Sequence, residues 1–154
     1  MTVKAWLEGL GLQTSIRAGA AGEEVCFGPA GSTEQPGIIR WRTPTVMDVF
    51  HVRPLAAHAM TAQWRDPSNG TTPAAVLRTA VRNVALAFPL VEGNVADDAG
   101  GGVVVYFSAP VFEEPPSRQA FALTVSSVLK AAATLEAGAN ARAEQLAALA
   151  QLTG

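Results

Sequence analysis

The residues of this 154-residue chain best suited to binding chemistry gather between Arg40 and Arg65. Arg40, Arg42, Arg53 and Arg65 interleave there with Trp41, Phe50 and Trp64. Arginine and aromatic side chains are enriched at protein interfaces, and on a sheet they can grip a peptide or stack bases. In residues 37–42 the alternation sets Ile39 and Trp41 on one face and Arg40 and Arg42 on the other. The same alternation is what an aromatic core beneath a merely solvated cationic face would produce, so both readings stay open. The candidate partner-binding residues are Arg40, Trp41, Arg42, Phe50, Met60 and Trp64, and the expected ligand is a protein partner or peptide segment.

Other residue types capable of chemistry do not assemble into a motif. His51 and His58 match no metal-ligand spacing, with Pro54 between them and no Cys or carboxylate cluster nearby, and read as ordinary sheet residues. Cys26, the only cysteine, sits in the apolar run Val25-Cys26-Phe27 with no neighbouring cation in sequence to lower its pKa, and reads as a small buried hydrophobe. Gly100-Gly101-Gly102 precedes a strand where a phosphate cradle needs a helix, and Asp97-Asp98 beside it would repel phosphate. The same turn lacks the alternating oxygen ligands of a calcium loop. Glu113 and Glu114 are adjacent and point apart, as a solvated approach to a helix would. There is no nucleophile elbow. The expectation is a protein without catalytic residues, metal or cofactor.

Composition sets further bounds. Apolar residues make up 49% of the chain and charged residues 16%, enough for one folded domain spanning 1–154. A net charge of −2 gives little long-range attraction to phosphate, which counts against nucleic acid as ligand. The apolar run 100–112 is too short to span a bilayer as a helix, and Lys4 and Glu8 bracket only a very short apolar stretch, so neither a membrane span nor a signal peptide is read and the expected location is cytoplasmic. Two lysines against nine arginines, with abundant Ala and Gly, point to a high-GC bacterial genome.

These residues must be positioned by a small set of elements. Val3, Trp6, Leu7 and Leu10 make a helical stripe, followed by short strands at 14–17 and 24–27 and a mobile loop at 28–37. Strands follow at 37–42 and 46–53, the latter interrupted by Pro54. In residues 57–65 the alternation of Met60, Ala62 and Trp64 predicts a strand, although the alanines would suit a helix. Thr72 and Pro73 start a helix whose Leu77, Val81, Val84 and Phe88 face the sheet, and Pro89 stops it. A hairpin spans 90–107, and Ser117 caps a final helix with a stripe of Phe121, Val125, Val128, Ala132 and Leu135. Gly138 falls where continuation is least favoured, so 139–152 is expected to be a separate helical extension whose Leu146, Leu149 and Leu152 mediate association with a second copy. The fold class is α+β: an antiparallel β-sheet packed by helices, in the order α-β-β-β(-β)-α-β-β-α.

Residues 78–135 resemble the YbjN-type, or type III secretion chaperone-like, modules. The resemblance is carried by Val81-Arg82-Asn83, Phe88-Pro89-Leu90, the turn Asp97-Asp98-Ala99-Gly100-Gly101, the strand Val103-Val104-Val105-Tyr106 and the helix from Ser117. Residues 6–12, Trp6-Leu7-Glu8-Gly9-Leu10-Gly11-Leu12, are similar to that family's first helix and following strand. The resemblance implies an α-β-β-β-α-β-β-α domain that often dimerises and binds segments of protein partners, with no catalytic motif to carry over. The stretch 37–66 departs from the pattern. The leading expectation is a non-enzymatic adaptor or chaperone-like protein-binding module; the alternative is a small-ligand site or enzyme with a pocket between sheet and helix.

Overall fold

The computed structural model describes residues 2–19, 22–111 and 116–153. The elements run α1 (Thr2–Gly9), β1 (Leu12–Gly19), β2 (Gly22–Pro29), β3 (Gly37–Trp41), β4 (Met47–Leu55), α2 (Ala57–Trp64), α3 (Pro73–Leu86), β5 (Glu92–Asp97), β6 (Val103–Pro110) and α4 (Arg118–Thr153). The strands form one antiparallel sheet in the order β1-β2-β3-β4-β6-β5. The chain thus leaves β4, passes through α2 and α3 to the far edge, and returns as β6 between β5 and β4.

Strand parity decides what each side chain meets. Val25, Ile39, Val49 and Ala109 lie in one register row, as do Phe27, Gly37, His51, Phe107 and Gly93. The strand residues of the core from β2 to β6 are all odd-numbered, and they pack under helical residues such as Leu7, Leu77, Val81, Phe121, Val125 and Val128. Helices therefore cover one face of the sheet. The even-numbered face of these strands contributes nothing to that cluster.

Local signals at the helix ends act as their chemistry requires. The Thr72 hydroxyl accepts from the Ala75 amide at 3.2 Å and Pro73 occupies the first turn. The Ser117 hydroxyl accepts from the Ala120 amide at 3.1 Å. Leu77 and Val81 are fully buried, while Val84 and Phe88 are half-buried against the core. Trp6 meets Phe121 with ring centroids 5.4 Å apart, tying α1 to α4.

Three expectations need correction. Residues 57–65 are not a strand: α2 is helical because Met60 and Trp64 stand four apart, one turn, and both are buried, whereas Ala62 between them is exposed. Pro54 does not end β4. The Val52 amide donates toward β3, to the Pro36 carbonyl, so the missing amide of Pro54 faces the same side, beyond the last β3 partner, where no bond is lost. Gly138 does not break α4, which is continuous for 36 residues, about 54 Å at 1.5 Å per residue. Its second half is held by buried Ala139 and Leu146 and by Arg142, whose Nη2 donates to the Arg65 carbonyl at 2.8 Å. That contact outweighs a glycine penalty of about 1 kcal/mol. By length and composition α4 could cross a membrane, but Phe121, Val125, Val128 and Ala131 on it are core. Glu113 and Glu114 lie outside the described residues.

Candidate functional site

The six residues proposed as one binding surface are divided by the sheet. Trp41 packs against the core, and Met60 and Trp64 are buried in it at 6% and 4% exposure. Arg40, Arg42 and Phe50 stand on the uncovered face. The structure therefore keeps the second group as surface and assigns the first to the interior.

The uncovered face is organised around Glu24, the one buried charged residue among those described. Arg17 donates to its Oε2 through Nε and Nη2, at 3.2 and 3.1 Å, and Arg40 donates to its Oε1 at 3.0 Å. Burial pushes the Glu24 carboxyl up, but the hydrogen bonds and charges of Arg17 and Arg40 together outweigh it and hold the group below the ordinary glutamate value. Arg40 also lies over the Phe50 ring, 5.2 Å from its centroid. Arg42 grips Asp48 at both carboxylate oxygens, at 2.6 and 3.1 Å. Arg40 and Arg42, read from sequence as one cationic face, are thus both paired, and Arg17 joins them. Toward β5, Phe50, Tyr106, Ser108 and Asn94 border a shallow depression. Toward β1, the segment before β3 folds back over the sheet: a Cβ at Gly28 would collide with the Glu34 carbonyl, and the Ser15 hydroxyl bonds the Gln35 side chain. Residues 28–37 are in this respect a cover for the sheet. Cys26 is buried on this face beside Ser15 and Ile38.

A second feature lies on the covered side. Between β4, β6, α2 and α4 is a cavity of about 320 Å³, at the lower end of the range of about 300–1,000 Å³ typical of small-molecule sites. Val105, Phe107, Leu55 and Leu135 give it apolar walls. Its polar groups are His51 and Arg53 from β4, His58 and Gln63 from α2, and Glu136 and Asn140 from α4. Arg53 Nη1 pairs with Glu136 Oε2 at 3.1 Å, both side chains half-exposed. Burial and the nearby Arg53 charge lower the His51 pKa, with Glu136 opposing. Trp64 borders the same space, and its buried indole N–H has no acceptor among the described residues. Those residues contain no group of three or more His, Cys, Asp or Glu able to hold a metal ion.

Both histidines read from sequence as ordinary sheet residues, but His58 lies on the helix α2 and both border the cavity; for His51 the signal was present. Parity on β4 continues from Val49 through His51 and Arg53 to Leu55, which places two polar side chains at core-facing positions of a central strand. A polar group where the pattern demands an apolar one marks a place where the interior is not filled.

Of the leucines expected to mediate association, Leu146 is buried within the single chain, whereas Leu149 and Leu152 are exposed at 43% and 84%.

The six-stranded antiparallel sheet with helices on one face makes this an open-faced α+β module. A crystal structure of an uncharacterized protein from Methanothermobacter thermautotrophicus shares it with a TM-score of 0.69 and 11% identity, over 92% of this chain and 96% of that one. YbjN from E. coli, described as a candidate transcription regulator, shares it with a TM-score of 0.55 and 13% identity, over 91% and 90% of the two chains. At these identities the likeness is one of fold, and the chain has the YbjN-like fold anticipated from its second half. No family model and no curated protein sequence matches the chain.

Proposed function

We propose that this protein is a non-enzymatic binding module that holds a segment of a protein partner against the uncovered face of its sheet. The observation that carries the reading is that helices cover one face only: the main core cluster draws on the odd-numbered residues of β2 to β6, and the opposite face, closed over Glu24, Cys26 and Ile38 toward β1, keeps Phe50, Val52, Val104 and Tyr106 partly exposed in a contiguous patch. Aromatic and aliphatic side chains in such a patch, with arginines beside it, are the composition of an interface centre. Arg17, Arg40 and Arg42 are each already engaged by Glu24 or Asp48, so affinity would come mainly from apolar contact and less from charge. The partner class is accordingly an extended segment with apolar side chains.

The test is photocrosslinking in cells of the source organism, with a benzophenone amino acid placed at Val52 on the uncovered face and, as control, at the exposed Leu123 of α4. A discrete adduct to a second protein from position 52 alone, lost with Tyr106→Asp while the thermal midpoint is kept, supports the proposal. Adducts only between copies of this chain, or equal labelling from both positions, overturn it.

A further inference from the structure

We propose that the cavity between β4, β6, α2 and α4 is a binding site for a small organic acid, a carboxylate carried on one ring or a chain of similar bulk. This is independent of partner binding, since it lies on the opposite side of the sheet.

Size and lining select the class. A space of about 320 Å³ admits one substituted ring and not a nucleotide or an extended cofactor. Its walls of Val105, Phe107, Leu55 and Leu135 suit an apolar body. Polar groups gathered from three elements, β4, α2 and α4, suit a single polar end. The buried Trp64 indole N–H has no acceptor among the described residues, and His51 and Gln63, both partly buried, line the space with exposed His58 and Asn140 at its mouth.

The donor balance then chooses an acid over an amine. Arg53 and Trp64 are donors only, and His51, His58, Gln63 and Asn140 donate as well as accept; Glu136 alone only accepts. A carboxylate is acceptor only and fits this excess of donors, whereas an ammonium brings three more donors. Arg53 uses Nη1 for Glu136, which leaves Nε and Nη2 for a second carboxylate.

The experiment titrates the full chain with phenylacetate, phenylacetamide and phenethylamine, one ring with an acidic, a neutral or a basic end. The readout is the set of amide and indole N–H signals of the isotope-labelled protein. Saturable shifts at the Trp64 indole, Ala59 and Ala132 with phenylacetate are expected, with at least tenfold weaker binding of the amide and amine. Arg53→Met keeps the stem of a half-exposed side chain and should weaken phenylacetate at least tenfold, while Arg17→Met on the other face leaves it unchanged. Equal binding of the three compounds, insensitivity to Arg53→Met, or no saturable shift of these signals with phenylacetate overturns the proposal.

Discussion

The two faces of this sheet solve opposite problems with similar residues. Each carries an arginine–glutamate pair: Arg17 and Arg40 with Glu24 on the uncovered face, Arg53 with Glu136 on the covered one. On the uncovered face the carboxylate is the buried partner, at 4% side-chain exposure, and two arginines reach it from solvent. On the covered face both partners are half-exposed at the rim of a cavity. The first arrangement fixes β1, β2 and β3 together and leaves few polar groups unspent. The second leaves the buried Trp64 indole N–H without an acceptor among the described residues. A saturated polar network favours a structural role, with the binding done by the apolar patch beside it; an unsaturated one favours a ligand.

The comparison breaks first at the aromatic residues. His51 of β4 is registered with Phe107 of β6, so Phe50 and Phe107 lie close together but on opposite faces. Phe107 is 1% exposed, and Phe107→Ala should lower stability by about 3–5 kcal/mol. Phe50 is half-buried and in no core contact, and Phe50→Ala should lower it by about 1 kcal/mol. Urea midpoints of the two variants measure the difference; equal losses would mean that the uncovered face is a second core and not a free surface.

Next in size is the network at Glu24. Glu24→Gln keeps the shape and removes the charge that Arg17 and Arg40 share, and should lower stability by about 1–2 kcal/mol, because both guanidiniums keep roughly half their surface in water. The carboxyl titrates below the ordinary value of 4.5 in the folded chain. Its contribution is therefore full above pH 4.5 and is lost as the pH falls through the depressed value. The acid limb of a stability profile should be shallower for Glu24→Gln than for the parent; parallel limbs would remove Glu24 from the account.

How far these differences could be read from sequence depends on whether the signal was local. The stripe at Leu77 and Val81, the Thr72 and Ser117 caps and the hairpin into β6 are set by neighbours within a turn or two, and the structure keeps them. The sheet class followed from alternation alone. Residues 57–65 were misread because Met60, Ala62 and Trp64 fit both periods, and only burial against α4 decides for the helix. Gly138 was overweighted because a penalty of about 1 kcal/mol is small beside the burial of Ala139 and Leu146, which sequence could not reveal. The candidate surface was half legible: alternation separated Arg40 from Trp41, but that Met60 and Trp64 lie inside follows from α2, and that the arginines are paired follows from register across β1 to β4.

The smallest effect belongs to His51 and tests the covered face directly. Its ring is largely desolvated, Arg53 stands beside it, Glu136 opposes, and His58 borders the same cavity. The net result is a pKa below the ordinary 6.5. The folded chain thus resists protonation that the unfolded chain accepts, so the unfolded state binds more protons as the pH drops below 6.5, and stability declines there. This window opens two units above the one at Glu24, so the two faces separate along a single pH axis. His51→Asn should flatten the decline that sets in below about pH 6.5 while leaving the acid limb intact. A parent whose stability rises on acidification through 6.5 would mean that Glu136 dominates the cavity, reversing the charge preference inferred for its ligand. A variant that keeps the slope would place the imidazole in solvent and remove it from the cavity wall.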